Sequence, residues 1–104
     1  MRLGVLIASS PSEGDCPLIE SAVAGALLCG DSIDLFLMGD GVHYALTPSV
    51  RTFVAAGVEV TVCAMDAEAQ HLDLDQAAAA GVALGSQRDH AHLLLRSDRF
   101  LSFT

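Results

Sequence analysis

Five short apolar runs, separated by helix-like stretches, constrain this chain more than any other feature. They are Leu3–Ser9 (LGVLIAS), Ile33–Met38 (IDLFLM), Glu59–Cys63 (EVTVC), Val82–Leu84 and Phe100–Phe103 (FLSF). The runs are close to continuously apolar, as strands covered on both faces are. Between them the sequence predicts a helix over Pro17–Cys29, stopped by Gly30, and a shorter one over Ser49–Ala56, stopped by Gly57. Pro17 suits a first helical turn and Gly30 a helix end. Asp66 reads as the cap of a short helix starting at Ala67. The alanine tract Ala77–Ala80 reads as helical up to Gly81, and the last helix runs from Ser86 or Gln87 to Ser97. Strands alternating with helices predict a three-layer α/β/α sandwich around a mostly parallel five-stranded sheet, flavodoxin-like in kind. Strand order does not follow from this pattern.

A length of 104 residues fits one domain, residues 1–104, with no linker and no internal repeat. A domain this small buries a modest share of its surface, so self-association is a natural expectation. Thirteen acidic residues face five basic ones, all arginine, for a formal net charge of −8. That balance argues against a nucleic-acid partner, whose phosphates demand basic side chains, and against an anionic membrane surface. The first apolar run is too short for a signal-peptide core, and no stretch reaches the roughly 20 apolar residues of a membrane span. The expectation is a cytoplasmic protein with reduced thiols, since its three cysteines form no disulfide framework.

In open parallel sheets, ligands bind outside the carboxyl ends of the strands. That rule selects the segments Ser9–Cys16, Gly39–His43, Cys63–Asp66 and Gly85–Gln87, and it sorts the cysteines. Cys29 falls at the opposite edge and reads as a packing residue. Cys63 ends a strand just ahead of a helix start, where backbone N–H groups favour a thiolate. Asp66 and Glu68 oppose that effect, and any cationic help would have to come from Arg51, Arg88 or another subunit. The plainer alternative for Cys63 is a buried strand-end cysteine. Cys16 is the rival thiol, close enough to act with Cys63 if the first and third strands are neighbours. Asp40 and His43 flank Gly41 in GDGVH, where His43 could move a proton. His90 and His92 are two apart, point to different helix faces and read as surface or interface residues. The loop SSPSEGD offers hydroxyls to an anion but also Glu13 and Asp15, and the chain has neither GxGxxG nor GxxxxGK[ST]. With no Trp and only Tyr44, flavin stacking is poorly supplied. No CxxC pair or tight Cys/His cluster suggests zinc, so neither cofactor nor metal is expected.

Four segments carry a family likeness: VLIASSP (Val5–Pro11), GDSIDLFLMGDGVHYAL (Gly30–Leu46), VAAGVEVTVCAMDAEA (Val54–Ala69) and LLRSDRFLSF (Leu94–Phe103). Together they resemble the DsrE, DsrF and TusD-type proteins of sulfur relay over nearly the whole chain. The resemblance implies a DsrE-like sandwich assembled into homo- or hetero-oligomers. It also implies that the cysteine at position 63 accepts sulfur as a persulfide and hands it to the next carrier. Asp66 and Glu68 follow Cys63 where some TusD-like proteins carry basic residues.

Three functions are therefore expected, in this order. The first is a sulfur carrier or sulfurtransferase acting through Cys63, supported by Asp40, His43, Asp66 or Cys16, with sulfur-donor and acceptor proteins as partners. The second is a non-catalytic ligand-binding or assembly module, favoured if Cys63 is buried. The third is a thiol redox protein using Cys16 with Cys63, which needs Cα atoms within about 7 Å.

Overall fold

The computed structural model describes residues 1–104. Its centre is one five-stranded, wholly parallel sheet of β1 (Arg2–Ile7), β2 (Ser32–Leu37), β3 (Glu59–Cys63), β4 (Ala83–Gly85) and β5 (Arg99–Phe103). The spatial order is β4-β3-β2-β1-β5. This differs from the flavodoxin order 2-1-3-4-5, in which the first and third strands are neighbours. Here β2 stands between β1 and β3, so the condition for a Cys16–Cys63 pair is not met.

The five helices are α1 (Cys16–Leu28), α2 (Pro48–Ala55), α3 (Ala64–Ala69), α4 (Leu74–Ala79) and α5 (Gln87–Arg96). The first three crossovers all step outward from β1 in one direction. Right-handed connections therefore place α1, α2 and α4 on one face, and the return crossover through α5 on the other. The packing follows that rule. Leu3, Val5 and Ile7 of β1, Ile33, Leu35 and Leu37 of β2, and Val60 and Val62 of β3 share a core with Ile19 and Val23 of α1 and Val50 and Phe53 of α2. The alternate residues look the other way, where Phe36, Cys63 and Leu93 form a second cluster with Leu6 and Met38. The sandwich is thus three-layered but lopsided, with α5 alone as its third layer.

Two features hold α5 on the sheet. Gly4 leaves the space that Ser97 Oγ and Leu93 Cδ2 occupy, and a Cβ there would displace both side chains. Asp34, 2% exposed at the centre of the same face, accepts from Arg2 Nη1 at 2.9 Å and from Arg96 Nε at 3.2 Å. One carboxylate therefore ties β1, β2 and the last turn of α5, where a cation also suits the helix dipole.

Several boundaries differ from the sequence reading. β1 ends at Ile7 rather than Ser9, because the N–H groups of Ala8 and Ser9 turn to Phe103 O at the end of β5. The helix expected from Ala67 begins at Ala64, directly after Cys63, and Asp66 lies inside its first turn. α4 begins at Leu74, ahead of the alanine tract, because the Asp73 carboxylate caps Gln76 N–H. The segment Gly39–His43, read as a loop, belongs to a 3-10 helix, Gly39–Leu46, across the carboxyl end of the sheet. No helix is long and apolar enough to cross a membrane.

Candidate functional site

Cys63 closes β3 and serves as the N-cap residue of α3, with φ −64° and ψ 112°. Its position in the strand decides its direction. Val60 and Val62 point into the main core, so Thr61 and Cys63 point toward α5. The residue is 4% exposed, packed beside Phe36 and Leu93. It borders a cleft of about 430 Å³ whose walls include Met38, Met65, Asp66, Ser86 and Gln87. Met65 is 78% exposed at the rim, which makes the entrance apolar.

Neither Arg51 nor Arg88 lines this cleft, so the chain's own arginines do not supply the cationic support considered from sequence. The side-chain group that reaches the sulfur is an amide: Gln87 Nε2 stands 3.9 Å from Cys63 Sγ, a long contact of the kind sulfur makes. The other end of that amide, Oε1, lies 3.2 Å from His90 Nδ1. The His90 ring is stacked on Phe36 with centroids 5.4 Å apart and planes 15° from parallel. His90, read from sequence as a surface or interface residue, is a half-buried member of the Cys63 neighbourhood. The Gly85–Gln87 segment stood among the four strand-end loops, but nothing local in the sequence couples Gln87 or His90 to a cysteine 24 positions away.

The remaining candidates are placed elsewhere or do other work. Asp66 borders the cleft, and its Oδ2 accepts the Gly39 N–H at 2.8 Å, fastening α3 to the chain leaving β2. Asp40 and His43 meet through a third residue that sequence reasoning missed. Gln70 donates to Asp40 Oδ1 at 2.9 Å, and its Oε1 faces His43 Nε2 at 3.0 Å. This exposed bridge pins the 3-10 segment to the end of α3, and neither Asp40 nor His43 lines the Cys63 cleft. Gly41 has a geometric role, since a Cβ there would collide with the Ile7 carbonyl.

Cys16 opens α1 and packs against the main core, on the opposite face of the sheet from Cys63. Its Sγ lies 3.2 Å from Glu20 Oε1 and 3.6 Å from Ser49 Oγ. The Ser49 hydroxyl favours the thiolate, but burial and the Glu20 carboxylate outweigh it and push the Cys16 thiol above its ordinary range. Burial, then Cys16 and the acids Asp15, Glu13 and Glu20, push the nearby Tyr44 phenol up as well. The anion cradle considered for SSPSEGD is closed from within, because Ser9 Oγ donates to Asp15 Oδ2 at 2.8 Å. Cys29 is exposed at the end of α1 rather than packed, and borders a groove beside β5.

The parallel α/β sandwich has known structural counterparts. The fold matches the crystal structure of the ychN protein from E. coli, with a TM-score of 0.76 and 21% identity over 99% of this chain and 100% of that one. It also matches a conserved protein of unknown function, BT1422 from Bacteroides thetaiotaomicron, with a TM-score of 0.79 and 15% identity over 98% and 94% of the two chains. At these identities the likeness shows the fold. Residues 1–103 match the DsrE/DsrF-like family, and the chain belongs to it. No curated protein matches the chain.

Proposed function

We propose that this protein is a sulfur carrier that accepts sulfur as a persulfide on Cys63 and delivers it to a partner protein in the cytoplasm. The observation that carries this reading is the placement of Cys63 at the carboxyl end of β3, bordering a cleft with an amide donor facing its sulfur. Membership of the DsrE/DsrF-like family, which is broadly associated with sulfur relay, supports it. In the loading step the Cys63 thiolate attacks the outer sulfur of a donor persulfide, R–S–SH. A new S–S bond forms, the donor's S–S bond breaks, and the donor thiolate leaves. An acceptor thiolate then attacks the outer sulfur of Cys63–S–SH and regenerates the Cys63 thiolate. Sulfur moves without net oxidation, so the cycle needs no redox cofactor.

One observation favours a second reading, a binding or assembly module without transfer chemistry: the low exposure of Cys63. The two readings part on reactivity. After incubation with a cysteine desulfurase and cysteine, a persulfide-selective alkylating tag should map to the peptide containing Cys63. A tag on no peptide, with Cys63 also inert to iodoacetamide in the folded protein, would leave the binding module as the better account. The redox pair draws no support, because Cys16 and Cys63 lie on opposite faces of the sheet.

The carrier is also proposed to be a homo-oligomer. β5 is an edge strand with no partner on its outer side, and Phe100 and Leu101 are 36% and 40% exposed along it. Leu94 and Leu95 of α5 are 46% and 84% exposed. A five-residue edge, RFLSF, with three apolar side chains and no lysine or proline, is a template for pairing with a second copy.

A further inference from the structure

We propose that Gln87 is the residue that holds the anionic sulfur of Cys63, and that His90 is a positioning residue that locks the Gln87 amide in its donating orientation. The role in sulfur transfer rests on the persulfide reading above, whereas the geometry stands apart from it. A glutamine amide has two ends of similar shape and opposite polarity. Turned by half a rotation, Gln87 would present Oε1 to the sulfur and repel a thiolate or persulfide anion. His90 decides the orientation in the proposed tautomer: with the proton on Nδ1 it donates to Oε1 across 3.2 Å and leaves Nε2 facing Sγ.

The ring that makes this choice is itself held. Phe36, fully buried and in the same cluster as Cys63, stacks against His90. The first turn of α5 is fixed by a reciprocal cap. Ser86 Oγ accepts from Arg88 N–H, while Asp89 Oδ2 accepts from Ser86 N–H at 2.7 Å. Gln87 and His90, three residues apart, are neighbours on that turn. Ring, amide and sulfur therefore form one chain, anchored at one end by an aromatic stack and at the other by a strand terminus.

The surroundings give the amide its weight. Among the other charged groups nearby, Asp66 is engaged by the Gly39 N–H, Asp89 is engaged in the cap, and Arg88 does not line the cleft. With no cation at the cleft wall, a neutral N–H donor is what this face offers a sulfur anion. Hydrogen bonding to the charged form of an acid favours that form, and a thiolate is the species that attacks sulfane sulfur.

The test compares the Cys63 iodoacetamide rate, read by peptide mapping, in wild type and in Gln87→Leu, Gln87→Met, His90→Phe and His90→Asn. Thermal melting checks each fold; Gln87 is exposed, so its replacement leaves the core intact. Gln87→Leu and Gln87→Met should slow labelling severalfold at neutral pH, because the attacking sulfur loses its side-chain N–H donor. His90→Phe keeps the stack but loses Nδ1, and should slow labelling severalfold. His90→Asn restores an N–H near that position and should recover most of the rate. Equal rates in wild type, Gln87→Leu and His90→Phe would overturn the proposal, as would a His90→Asn rate no better than that of His90→Phe. Labelling needs no sulfur donor. A carrier that fails to load with sulfur but shows this pattern would refute the persulfide reading alone.

Discussion

At the start of α1, burial and then Glu20, 3.2 Å from the Cys16 sulfur, outweigh the Ser49 hydroxyl and hold the thiol protonated beyond its ordinary range. At the end of β3 the group facing the sulfur is an amide N–H. Two cysteines assigned to the same edge of the sheet thus meet opposite chemistry. Cys16 should alkylate slowly at neutral pH, and its rate should keep climbing at pH values where an ordinary thiol has levelled off. Glu20→Gln removes both influences of that carboxylate, so labelling of Cys16 at pH 8 should rise severalfold; an unchanged rate would refute the assignment. The linked stability effect has a definite sign. The folded thiol ionises later than the unfolded one, so stability is complete below the unfolded thiol's range and declines as pH rises through the folded one. Cys63→Ala, by contrast, removes a small buried side chain and should lower stability by about 1 kcal/mol while abolishing sulfur loading. A loss of fold together with loading would mark Cys63 as a packing residue.

α5 carries both the roof of the Cys63 site and the single-helix third layer, so its attachment matters to function. That attachment runs through Asp34, with Arg2 at 2.9 Å and Arg96 at 3.1 Å. Both guanidinium groups are partly exposed, at 35% and 50% of the side chain, so water recovers much of what the carboxylate provides. Asp34→Asn is expected to cost about 1–2 kcal/mol, which lowers Tm by roughly 4–16 °C in a chain of this size. A melting curve that overlays wild type would mean that α5 is held by Gly4 and Leu93 alone. At this scale the sequence was most readable where a strand is apolar on both sides. β3 was placed to the residue and the other strands within one or two residues; in β1 and β2, burial on two faces leaves nearly continuous apolar runs. The start of α3 was not legible, since Asp66 has the chemistry of a cap but uses its carboxylate on Gly39. The 3-10 segment Gly39–Leu46 escaped because its two glycines and single turn of apolar residues imitate a loop. Strand order and the approach of Gln87 to Cys63 depend on crossovers that place distant segments together, and no local pattern encodes them.

The whole molecule is acidic, and two of its five arginines, Arg2 and Arg96, are committed to Asp34. A second copy carrying the same net charge of −8 is repelled over most of the surface. The segment Leu94–Phe103 is the exception, with Arg96 and Arg99 against Asp98 and four exposed apolar side chains. Association through β5 should therefore be sensitive to one charge placed at its centre. Leu101→Glu should convert an oligomer to monomer in sedimentation equilibrium and leave the Cys63 labelling rate unchanged. A monomeric wild type, or an oligomer indifferent to Leu101→Glu, would remove β5 from the assembly.

The central claim is the sulfur-carrying role of Cys63, and the intact mass of the protein tests it most directly. After incubation with a cysteine desulfurase and cysteine, wild type should gain about 32 Da, one sulfur atom carried as a persulfide. Reduction should reverse the gain, and Cys63→Ala should not show it. No gain in wild type, or a gain that survives in Cys63→Ala, would contradict the account.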